Sequence, residues 1–90
     1  MIEIIHSDSY KKRVKKFIKK HPDLVVQYEK TLELLEINPY HPSLRLHKLA
    51  GKLNELHAVS INTAFRISLI FLIQHDKIIP VDIGTHEEVY

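Results

Sequence analysis

Seven histidines are spread along the ninety residues, at positions 6, 21, 41, 47, 57, 75 and 86, too scattered to form a tag. An imidazole titrates near pH 6.5, so each can give or take a proton close to neutrality. Arg66 lies inside the most apolar stretch of the chain, AFRISLIFLI over 64–73. A guanidinium is costly to bury alone, so Arg66 must reach an open sheet face, a salt bridge to a residue such as Asp82, or a substrate. Arginine stays charged and grips phosphate oxygens with two parallel hydrogen bonds. Metal-free phosphodiester cleavage needs a base, a cation for the transition state and an acid, which imidazole and guanidinium groups can supply. Metal chemistry is poorly served. His41 with His47, or His86 with Glu87 and Glu88, could be pictured as ligands, but no spacing matches a zinc motif and cysteine is absent. Two glycines are too few for a phosphate-cradling loop. No metal or other cofactor is expected.

The net charge of +2 conceals an asymmetry. Residues 11–20, KKRVKKFIKK, hold seven of the thirteen Lys and Arg residues and no acid, whereas the following stretch carries Asp23, Glu29, Glu33 and Glu36. Clustered cations suit an anionic partner, although a charge run on an amphipathic helix is commonly just a solvated face. No apolar run approaches the ~20 residues that span a bilayer, and the N-terminus turns polar after five residues, so neither a signal peptide nor a membrane contact is expected. Absence of cysteine fits a reducing cytoplasm.

The positioning elements follow from periodicity. Met1–His6 is apolar and β-branched, a short strand. Ser7-Asp8-Ser9 offers cap oxygens, after which Tyr10, Val14, Phe17 and Ile18 recur at helical spacing. Pro22 ends this helix and opens a second, with Leu24, Tyr28, Leu32 and Leu35 on one face, ending before Asn38-Pro39. The two helices predict an antiparallel hairpin. A two-proline loop over 38–43 precedes strands at Leu44–Ala50, Leu53–Ile61, Ala64–Ile73 and Ile78–Gly84, with turns at 51–52, 62–63 and 74–77. Pro80 removes a ladder donor, so the last strand is an edge or is bulged there. The order β-α-α-β-β-β predicts one domain over 1–90. It is an α+β two-layer sandwich, a mainly antiparallel sheet of four or five strands with helices on one face and the other open.

Three segments in this order carry a resemblance: LRLHKLAGKL, AVSINTAFRISLIF and VDIGTHEEVY. The chain resembles the RelE/ParE toxin superfamily, and most closely the RelE- and YafQ-like messenger RNA interferases of type II toxin–antitoxin systems. The resemblance covers nearly the whole chain. It implies catalytic positions at His47 in the His-x-Leu-x-Gly segment, at His86 after Gly84-Thr85, at Tyr90, and at Arg66, which would hold the scissile phosphate. On an ungapped reading the second histidine of the YafQ-like group and its aspartate fall on Ser60 and Ala64. His57, three residues out of register, is then a possible catalytic substitute.

The resemblance further implies a metal-independent endoribonuclease. His47 and His86 would move protons to and from the 2′-hydroxyl and the leaving 5′-oxygen, and Tyr90 would stack on a base or assist. Which histidine is the base stays open. Lys11, Lys12, Lys15, Lys16, Lys19, Arg45, Lys48 and Lys52 are the candidate RNA-backbone contacts. The implied partners are a cognate antitoxin, messenger RNA and the ribosome with its RNA, the free toxin being a monomer. Two other classes stay open: a gyrase-poisoning toxin of the same fold, and a non-catalytic relative that only binds its antitoxin.

Overall fold

A computed structural model describes residues 1–49, 56–72 and 75–89. The chain runs β1 (Glu3–Ile4), α1 (Asp8–Lys20), α2 (Val25–Ile37), β2 (His47–Lys48), β3 (Leu56–Ser60), β4 (Phe65–Leu72), β5 (Lys77–Thr85) and α3 (His86–Val89). One five-stranded sheet has the order β1-β5-β4-β3-β2. Its ladders are antiparallel except for the short parallel pairing of β1 with β5 at Glu3–Lys77 and Ile4–Ile78. This is the expected α+β sandwich.

Ser7 caps α1 as its residue type predicts, its hydroxyl accepting from the Tyr10 N–H at 3.2 Å. Pro22 converts the connection into a single 3₁₀ turn (Pro22–Leu24) that leads directly into α2. Tyr10 and Tyr28 tie the two helices together, their buried hydroxyls 2.9 Å apart. Strand alternation assigns the sheet faces. Val59, Ile67 and Ile83 lie opposite one another on β3, β4 and β5 and share a buried cluster with Tyr10, Phe17 and Leu35. This is the helix-covered face. The next row along, Ser60, Arg66 and Gly84, looks the other way.

Two local departures from the sequence expectations have physical causes, and the bulge allowed at Pro80 is present. Among the described residues, the strand expected over 44–50 covers His47–Lys48. Pro42 opens a 3₁₀ turn that plugs Leu44 into the core, and Arg45 then adopts a left-handed conformation, φ 51°, which breaks the extended backbone. Pro80 is accommodated by a bulge: Leu69 pairs with Pro80 while Ser68 pairs with Asp82, leaving Val81 extra. The second face of the sheet is not bare. Ala58 and Ser68 are buried there, and α3, which was not anticipated, packs against β5 and β4.

Candidate functional site

Arg66 sits in β4 between Ser60 and Gly84, on the sheet face opposite the helical hairpin. Its flanking residues Phe65 and Ile67 point into the core, so alternation alone directs the guanidinium outward. It is half-buried, and its Nη1 is enclosed with no hydrogen-bond partner among the described residues. The salt bridge to Asp82, one of the alternatives the sequence left, does not form. Asp82 lies beyond the point where β1 stops pairing with β5 and meets Arg13 of α1 instead, at 3.4 Å.

His47 occupies the same face. It pairs with Ala58, which pairs with Ser68, two residues along β4 from Arg66. Two strand spacings across and two residues along separate the backbones by roughly 12 Å, within joint reach of two long side chains toward one group. The His47 Nδ1 lies 2.8 Å from the Arg45 carbonyl oxygen. A carbonyl can only accept, so this contact places a proton on Nδ1.

His86 is positioned by a second device. Thr85 and Glu88 form a reciprocal helix cap. The Thr85 N–H donates to Glu88 Oε1 at 2.9 Å, and the Glu88 N–H donates to the Thr85 hydroxyl at 3.3 Å. The Thr85 backbone N–H, and after it the Thr85 hydroxyl, hold the Glu88 carboxyl below its usual pKa, helped by the charges of Lys20 and His21. Gly84 permits the fold-back: a Cβ at that position would meet the Glu88 Cβ and Oε1 at 3.0 Å. His86 is consequently the first residue of α3, exposed, and two residues beyond the cross-strand partner of Arg66.

The remaining sequence candidates divide. His57 pairs with Leu69 and faces the helix side, its ring 6.1 Å from Phe71; it is not brought to Arg66. Lys48, paired with His57, shares that side. Lys11, Lys12, Lys15, Lys16 and Lys19 are exposed on α1, across the sheet from Arg66. Arg45 is exposed beside His47. Lys52 and Tyr90 lie outside the described residues. Among the described residues no cluster of three His, Cys, Asp or Glu could hold a metal, and no helix is long and apolar enough to cross a membrane.

No family model matches the chain, and no curated protein matches it in sequence. Solved structures do. A metal-bound toxin from Helicobacter pylori superposes with a TM-score of 0.79 at 23% identity, over 100% of both chains. YafQ of E. coli gives 0.79 at 17% identity, over 100% of this chain and 99% of that one, and YafQ in the DinJ–YafQ complex gives the same values. The chain has the YafQ fold. A YoeB–YefM complex from Staphylococcus aureus matches with a TM-score of 0.71 at 17% identity, over 96% of this chain and 98% of that one. The resemblance expected from the sequence therefore holds in the architecture. The structure adds His21 to the candidates read from the sequence. It ends α1 and stands between Phe17 and Phe65, ring centroids 4.8 and 4.6 Å away. The i, i+4 spacing of Phe17 and His21, just before Pro22, was the signal that could have revealed it.

Proposed function

We propose that this chain is the toxin of a type II toxin–antitoxin pair and a metal-independent endoribonuclease that cuts messenger RNA on the ribosome. The observation carrying this reading is Arg66, whose enclosed Nη1 lacks a hydrogen-bond partner among the described residues, on the face shared with His47 and adjoining His86. A buried donor without an acceptor is unfavourable by about 1–3 kcal/mol, and a phosphate oxygen would satisfy it. In the proposed reaction one imidazole removes the 2′-hydroxyl proton, Arg66 bears the charge that builds on the phosphoryl oxygens, and the other imidazole protonates the departing 5′-oxygen. Tyr90 is proposed to stack on or orient the substrate, and the exposed cations of α1, with Arg45, Lys48 and Lys52, to contact RNA backbone. The antitoxin partner is supported by the likeness to chains in the DinJ–YafQ and YoeB–YefM complexes.

The test is primer extension on ribosomes programmed with a defined message. His86→Ala and Arg66→Ala should each reduce cleavage by about 10²-fold or more. Full cleavage by both variants rules the assignment out.

A further inference from the structure

A groove of about 650 Å³ runs between the C-terminal half of α1 and the end of β5. Arg13, Lys16 and Lys20 stand along its helix side, and His21 and Phe65 form an aromatic floor. Its far wall is Thr85 and Glu88, the two capping residues of α3 that flank His86 in sequence. The groove thus starts where the proposed catalytic face ends. Both of its carboxylates are engaged within the protein: Asp82 faces Arg13, and Glu88 accepts from the Thr85 backbone. Among the described residues Lys16 and Lys20 have no such ion pair, so they leave positive charge on the rim above a partly exposed ring pair.

Flanking cations around a ring platform match a nucleotide, whose base offers a π-face and whose phosphates lie to either side. We infer that this groove is a subsite for the single-stranded RNA flanking the scissile phosphate, one base packing on His21 and Phe65 while adjacent phosphates meet Lys16 and Lys20. The inference rests on the ribonuclease reading and extends it to substrate the catalytic groups do not touch. It gives the basic helix a defined role at its C-terminal end, where α1 reaches around the sheet toward α3.

The experiment uses a 2′-O-methyl oligoribonucleotide of about ten residues, which cannot be cleaved, carrying 5-iodouridine. Photocrosslinking to the full chain should label His21 or Phe65. Lys16→Glu with Lys20→Glu, both on the exposed helix surface, should weaken binding by roughly tenfold or more and lower the salt slope by about 1.4, two phosphates' worth for a single strand. His21→Ala should lose the crosslink while circular dichroism shows the fold retained. Unaltered binding by the charge-reversed variant, or crosslinks confined elsewhere, overturns the subsite. So does a groove that the partner protein protects while RNA does not, which would make it a docking site for an acidic protein segment. Groove crosslinking without any message cleavage by the wild type sinks only the nuclease reading; cleavage without groove binding sinks only the subsite.

Discussion

At the scale of single residues, Arg66 carries a buried guanidinium nitrogen with no hydrogen-bond partner among the described residues. Its strand neighbours Phe65 and Ile67 fix the backbone by packing, and alternation then leaves the guanidinium half-enclosed with Nη1 unsatisfied. Replacing it by an apolar residue of similar length removes the unmet donor. Arg66→Met is therefore expected to raise stability by about 1 kcal/mol while abolishing cleavage, which for a chain of this size is a melting increase of roughly 4–8 °C. A melting temperature that drops, seen by differential scanning calorimetry, would show that the guanidinium is satisfied in the folded protein. His47 depends on its neighbour in a similar way: the Arg45 carbonyl places a proton on its Nδ1.

At the scale of elements, α3 is the piece that brings His86 to the sheet, and it has only four residues. Such a short helix has little stability of its own, so its place depends on the Thr85–Glu88 cap and on the gap at Gly84. Thr85→Ala removes one cap acceptor and should destabilise the local structure by about 1 kcal/mol. Gly84→Ala forces a methyl against Glu88 at 3.0 Å and should displace α3, with a loss of about 1–3 kcal/mol and of His86 alignment. Heteronuclear spectra should show shifts concentrated at 84–89 in both variants. Changes spread evenly through the sheet would argue that α3 is not a separately positioned element.

At the scale of the molecule, the helical layer is pinned to itself by the Tyr10–Tyr28 hydroxyl pair, with Tyr10 fully buried. Desolvation raises both phenolic pKa values, most strongly for Tyr10, where Tyr28 and Asp82 add to the effect. In the unfolded chain these phenols ionise near the ordinary value of 10.0. Above that pH the unfolded state releases protons that the folded state keeps, so stability is intact below pH ~10 and falls as pH rises further. Each tyrosine contributes a slope of up to about 1.4 kcal/mol per pH unit in that window. Urea unfolding from pH 9 to 11.5 should show this decline, and Tyr10→Phe should flatten it while lowering stability near neutrality by about 1 kcal/mol through the lost hydrogen bond. A wild-type profile flat to pH 11.5 would contradict the buried pair.

Short-range physics was enough for the helices, the three long strands and the α+β layering. The apolar repeats of α1 and α2, the Ser7 cap, the Pro22 break and the alternation in Phe65–Leu72 are all carried by neighbours within a few residues. The sequence by itself also held Arg66 in an apolar strand and His47 and His86 as candidates, and it contained the Thr-x-x-Glu signature of α3. Other decisions needed the tertiary structure. Strand order and register determine that His47 and Arg66 share a face while His57 turns away, because a one-residue difference in pairing reverses the side on which a residue emerges. The bulge at Val81 and the pairing of Asp82 with Arg13, which leave Arg66 without its expected salt bridge, depend on where α1 lies against β5. The groove at His21 joins residues 13–21 to residues 82–88, and no local pattern encodes a meeting across more than sixty positions of chain.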